Sequence, residues 1–154
     1  MKVLFLHGLE GTPNGTKVQY LKNAGIDLVA PKLPKSSWID SRNQALEALE
    51  NHDVDLIIGS SRGGALACEL DTNIRKVLIA PAWRRFNVSP VIDASTIILH
   101  CEEDDLVDYS DSVELKNKFH AALITIGQNH RMSDPDSLAC LLDLVKTTRG
   151  KEVK

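Results

Sequence analysis

Six short apolar runs punctuate the chain, at residues 2–6 (KVLFL), 26–30 (IDLVA), 54–58 (VDLII), 76–80 (KVLIA), 96–99 (TIIL) and 122–126 (ALITI). They are short and apolar, so each predicts a strand, and the run at 54–58 a buried one. Between them the period changes. Val18, Leu21 and Ala24 recur at helical spacing over residues 17–25, and Gly25 stops that helix. A second helix starts at a cap on Ser37 or Asp40 and runs to Asn51, with Ala45, Leu46, Ala48 and Leu49 as its apolar face. Ala65, Leu66, Ala67 and Cys68 open a third, and residues 110–120 make a fourth with Val113 and Leu115 inward. The last begins at Ser133, with Asp134, Pro135 and Asp136 in its first turn. It continues through Leu138, Leu141, Leu142 and Val145 and frays into the charged residues 149–154. Strands alternating with amphipathic helices predict an α/β fold: about six parallel strands in three layers, with helices on both faces. Right-handed crossovers then bring every strand C-terminus to one edge, where ligands bind in such sheets.

Composition narrows the reading without redirecting it. The chain has 154 residues, 43% hydrophobic and 25% charged, which suits one domain over residues 1–154 with a proper core. A net charge of −3, with both signs mixed along the chain, offers no field for nucleic acid or an anionic membrane. The apolar run before His7 is too short for a signal peptide, and no stretch approaches a membrane span. Cys68, Cys101 and Cys140 lie in apolar segments without CxxC spacing, which fits reduced thiols in a cytoplasmic protein. Acidic neighbours of Cys101 raise a thiol's pKa and argue against a catalytic cysteine.

The predicted strand ends carry the chemistry. The third run leads into Gly59-Ser60-Ser61-Arg62-Gly63-Gly64 and then a helix, the strand–turn–helix form of G-x-S-x-G. That elbow holds one serine, here Ser61, in a strained turn above the sheet edge. Gly59 and Gly63 lie where a Cβ would collide with the neighbouring strand and helix. The first strand ends in His7-Gly8, the fifth in His100-Cys101-Glu102-Glu103-Asp104-Asp105-Leu106-Val107-Asp108, and the sixth in Gly127-Gln128-Asn129-His130. A serine hydroxyl needs an imidazole to take its proton, and the imidazole needs a carboxylate to hold its tautomer. Ser61, an acidic loop and His130 follow in that order. A phosphate-binding turn is the competing reading of Ser61, but GSSRGG is neither G-x-G-x-x-G nor a turn with the G-K-[ST] lysine. No HExxH-like spacing suggests a metal, and no cofactor is called for.

On LHG at residues 6–8, GSSRGG at 59–64, PAWRRF at 81–86, EDDLVDY at 103–109 and GQNH at 127–130, the chain resembles the α/β-hydrolases over its whole length. It is similar to their small, lidless members, the bacterial YqiA-like esterases. The resemblance implies Ser61 as nucleophile, His130 as base and Asp104 as acid, with Asp105 and Asp108 as rivals in the same loop. It implies an oxyanion hole from the N–H groups of Arg62 and Leu9, and a structural role for His7. His52 and His120 suit helix C-termini, and His100 a buried strand end. Trp83, Arg84 and Arg85 either line the substrate pocket, an arginine reading an anionic group, or cover the sheet edge with the arginines solvated. Residues 81–95 are too few for a helical lid, so the expected site is open and suits small esters. The implied activity is hydrolysis of small carboxylic esters or thioesters through an acyl-enzyme. The alternatives are a scaffold that binds a partner or small ligand without catalysis, and a flavodoxin-like or Rossmann-like ligand binder.

Overall fold

All six apolar runs enter one parallel sheet, in the order β2-β1-β3-β4-β5-β6. The computed structural model describes residues 1–8 and 12–152, with side chains through residue 148. In chain order the elements are β1 (Lys2–Leu6), α1 (Thr16–Asn23), β2 (Asp27–Val29), α2 (Trp38–Asn51), β3 (Leu56–Ser60) and α3 (Arg62–Glu69). Then follow β4 (Arg75–Ile79), β5 (Ile97–His100), α4 (Tyr109–Phe119), β6 (Ala122–Thr125) and α5 (Pro135–Glu152). Residues 80–96, between β4 and β5, form turns without helix or strand, so nothing lid-like stands there.

The elements follow from local chemistry, with small shifts where pairing overrides pattern. Gly25, at φ +86°, ends α1 in a conformation that penalises other residues. Ser37 caps α2, its hydroxyl accepting from Asp40 N–H at 3.1 Å. Asp134 caps α5, accepting from Ser137 N–H at 3.1 Å and from its hydroxyl at 2.8 Å. β3 lies two residues later than the apolar run suggests. Asp55 is bound to Lys2 at the strand's mouth, its N–H donating to Lys2 O at 2.8 Å, and laddering starts where Leu56 pairs with Val3. α5 extends to Glu152 instead of fraying at Arg149. Leu46 and Ala24, expected inward, are exposed, because only the Ala45/Ala48 and Val18/Leu21 stripes of their helices meet the sheet.

Period-two alternation divides the core into two layers. Leu4, Leu6, Ile57, Leu78 and Ile98 pack with Ala45 and Ala48 of α2, Ala65 and Leu66 of α3, and Leu115 of α4. Val3, Phe5, Ile58, Val77, Ile79 and Leu99 pack with Val18 and Leu21 of α1 and Leu141 and Val145 of α5. Full burial of each Val, Leu, Ile or Phe among them contributes about 1.5–3 kcal/mol. A charge is buried beside this core: Lys76 is 3% exposed, and its ammonium donates to Leu70 O at 2.5 Å and Val91 O at 2.7 Å. From β1 the chain departs to one side for β2 and returns on the other for β3. The order therefore reverses between β1 and β3, and a crevice opens at their C-terminal ends.

Candidate active site

Ser61 stands at that crevice, between β3 and α3, with φ 55° and ψ −111°. A non-glycine residue pays on the order of 1–3 kcal/mol for such a conformation, and surrounding bonds must hold it. They do. Ser61 N–H donates to Ile79 O at 2.9 Å, and Ser61 O accepts from Ala82 N–H and Ala65 N–H, each at 3.0 Å. The elbow also requires α3 to press against β1. A Cβ on Gly63 would lie 2.0 Å from Leu6 O, and one on Gly59 would lie 2.4 Å from Gly63 O.

His130 reaches the serine from the loop between β6 and α5. Asn129 Oδ1 accepts from Arg131 N–H at 3.0 Å and Met132 N–H at 3.3 Å, and Met132 is buried beneath, so the loop is tied on both sides of the ring. His130 Nε2 lies 2.9 Å from Ser61 Oγ, and its Nδ1 lies 2.7 Å from Asp104 Oδ2. A carboxylate only accepts, so Nδ1 carries the proton and Nε2 of the neutral ring accepts the serine hydroxyl. Asp105 and Asp108, the rival acids of the loop, are exposed and do not receive this bond.

Asp104 is held by more than His130. Its Oδ1 accepts from Leu106 N–H at 2.8 Å and Val107 N–H at 2.9 Å, and its Oδ2 also lies 3.1 Å from His100 Nε2. Burial pushes this carboxyl up, but the bonds from Val107 N–H, His130 and Leu106 N–H outweigh it and hold the carboxyl below its ordinary value. His100 is fully buried. Its Nε2 faces only acceptors, Asp104 Oδ2 and Val107 O at 3.1 Å, so that nitrogen carries the hydrogen. Burial lowers the pKa of His100 despite the nearby carboxylate, so the ring is neutral and Nδ1 accepts from the Ser112 hydroxyl at 2.6 Å. Asp104 Oδ2 thus joins two imidazoles. The sequence marked His100 as a buried strand-end residue; its contact with the acid was hinted at only by the four-residue spacing.

The remaining candidates fall into place around this core. Arg62 is the first residue of α3, so its N–H has no acceptor within the helix. Its side chain is 3% exposed and points away, donating to Ser41 Oγ at 2.9 Å, Pro34 O at 3.2 Å and Ser37 O at 3.3 Å, with Trp38 and Phe86 against the guanidinium. Leu9, the second expected oxyanion donor, lies outside the described residues. His7 accepts Leu33 N–H on Nε2 at 3.1 Å and donates from Nδ1 to Gly8 O at 2.8 Å, which joins the β1 loop to the segment after β2.

A cavity of about 530 Å³ opens over Ser61 and His130. Phe5, Val18, Leu106 and Val107 supply its apolar wall, and Lys17, Arg85 and Arg131 supply cations. Neither Trp83 nor Arg84, the expected substrate contacts, lines it. Trp83 is 8% exposed with Nε1–H donating to Asp111 O at 3.1 Å, and Arg84 stacks on it while pairing with Asp111 and Glu114 of α4. Sequence reasoning missed Lys17 and Arg131, which look like ordinary solvated charges until the fold brings α1 and the His130 loop together. Among the described residues no three His, Cys, Asp or Glu side chains are grouped as a metal site, and no helix is long and apolar enough to cross a membrane.

No family model matches the chain, and no curated protein matches it in sequence. Solved structures do match. The ydeN gene product from B. subtilis is similar at a TM-score of 0.77 and 12% identity, over 97% of this chain and 98% of that one. Alpha/beta hydrolase domain-containing protein 10 from mouse is similar at 0.74 and 14%, over 97% and 90%. The esterase domain of a Rhodothermus marinus protein is similar at 0.67 and 16%, over 94% and 83%. At such identities the likeness is one of fold, and the fold is that of the α/β-hydrolases, with no lid among the described residues.

Proposed function

We propose that the chain is a serine hydrolase that cleaves small carboxylic esters or thioesters through an acyl-enzyme. What carries the reading is the continuous hydrogen-bond chain from Ser61 Oγ through His130 to Asp104, with bonds of 2.9 and 2.7 Å, on a strained elbow facing a cavity. Its support from outside is the fold, shared with hydrolases.

His130 Nε2 takes the Ser61 proton as Oγ attacks the carbonyl carbon, and Asp104 stabilises the imidazolium without itself being protonated. Negative charge on the carbonyl oxygen is met by Arg62 N–H and, in the implied arrangement, Leu9 N–H; each such donor contributes about 3 kcal/mol. Collapse of the intermediate expels the alkoxide or thiolate, which receives the proton from His130, and leaves the acyl group on Ser61. Water, deprotonated by His130, then releases the acid and restores the serine. Catalysis requires the neutral ring of His130, because only that form accepts a proton.

A fluorophosphonate probe tests the reading. The wild type labels and Ser61→Ala does not, read as adduct mass on the intact protein. A folded wild type that remains unlabelled overturns it in favour of a non-catalytic scaffold.

A further inference from the structure

The described lining of the cavity over Ser61 carries the opposite sign to the chain as a whole. The chain carries a net charge of −3, yet the described residues lining the cavity include Lys17, Arg85 and Arg131 and no carboxylate. The three come from α1, the turns after β4, and the His130 loop, so the grouping is tertiary. Arg84, one residue from Arg85, is neutralised by Asp111 and Glu114, whereas Arg85 faces the cavity. Lys17 is partly buried at the cavity wall, and its ammonium donates to Arg131 O. The carboxylate that bears on Lys17, Asp134, is engaged in capping α5 through two bonds to Ser137. Partial burial of a cation beside another costs stability unless something compensates. Gly15, Thr16 and Lys17, the uncapped start of α1 with no acidic residue in its first turn, line the same wall.

Resting on the serine-hydrolase reading, we propose that the substrate is an anionic ester, one bearing a carboxylate or phosphate group that Lys17, Arg85 and Arg131 hold while Ser61 attacks the carbonyl. The apolar wall of Phe5, Val18, Leu106 and Val107 takes the short hydrocarbon between the two groups.

Matched ester pairs test this. 4-Nitrophenyl hemisuccinate and 4-nitrophenyl butyrate differ by a carboxylate in place of a methyl at the acyl end. 4-Acetoxybenzoate and phenyl acetate place the carboxylate on the leaving group instead. In at least one pair the anionic member has a kcat/KM ten times or more that of the neutral one, the size of a charge-assisted contact. That ratio falls about tenfold in Lys17→Met or Arg131→Met and shrinks with added salt. The ratio, taken within each protein, cancels general loss of activity, and a thermal melt establishes that each variant folds. Neutral preference in both pairs, or a ratio unmoved by Lys17→Met, Arg85→Met and Arg131→Met, overturns the anionic assignment while turnover leaves the hydrolase standing. No turnover of any ester together with no fluorophosphonate labelling overturns the hydrolase reading and this one with it.

Discussion

Asp104 and its two imidazoles show how much a single side chain depends on groups beyond the reacting atoms. His100 does not reach Ser61; it donates to Asp104 and is itself oriented by Ser112. Replacing it with leucine removes one donor and lets the carboxylate turn. Since small misplacements of a catalytic group can be worth up to a hundredfold, His100→Leu is expected to lower kcat by about tenfold or more, and His100→Gln by less. His100 also governs acid stability. Its pKa is lowered in the folded protein from an ordinary 6.5, so below about pH 6.5 the unfolded chain binds the proton and the folded one resists it. Stability therefore falls with pH in that window. Asp104, held below its ordinary 3.8, loses its contribution at lower pH still. Melts of wild type and His100→Leu from pH 7 to 4.5 should show the wild type losing stability more steeply.

Lys17 works in the opposite range. Burial, then Arg131, push its pKa down to about 8 from 10.5, against the pull of Asp134. Between those values the unfolded chain holds more protons, so folding becomes more favourable as pH rises, and the cost of the buried cation is fully present below pH 8. Lys17→Met is expected to melt above wild type at pH 7, with the gap closing toward pH 10. Residues held at a cost to stability concentrate at functional sites, which agrees with a role for Lys17 toward a ligand.

At the scale of elements, the elbow is a contact between α3 and β1 as much as a turn. A Cβ at position 63 would stand 2.0 Å from Leu6 O, a backbone atom of a central strand that cannot yield. Gly63→Ala is expected to destabilise by on the order of 3 kcal/mol or more in urea unfolding, since either α3 or β1 must shift. Ser37, the cap of α2, carries an ordinary contribution: Ser37→Ala should cost about 1 kcal/mol with little effect on turnover. Most elements were legible because their periods are clean. The boundaries that moved, at β3 and α5, were decided by pairing with β1 and by continuation of α5 through the charged residues, neither of which an apolar pattern records.

For the whole molecule, the short connection over residues 80–96 adds no helix or strand above the cavity. A 530 Å³ space whose described apolar lining is Phe5, Val18, Leu106 and Val107 suits a short acyl chain better than a fatty one. Acetyl and butyryl esters should be turned over with higher kcat/KM than dodecanoyl esters; a strong preference for the long chain would mean that apolar surface beyond the cavity contributes.

By itself the sequence determined the kind of fold and the order of the chemistry. Buried runs alternating with amphipathic helices admit little but a parallel sheet, and that sheet delivers Ser61, the acidic loop and His130 to one edge. These are consequences of local period and of crossover handedness, which a linear pattern contains. Tertiary structure decided what depends on direction across the sheet edge. It turned Asp104 toward His130 and left Asp105 and Asp108 in solvent. It paired Arg84 with α4 but aimed Arg85 at the cavity, and it gathered Lys17 and Arg131 from distant segments around the nucleophile. Adjacent residues in a loop differ only in where their side chains point, and charges far apart in sequence meet only when the chain has folded.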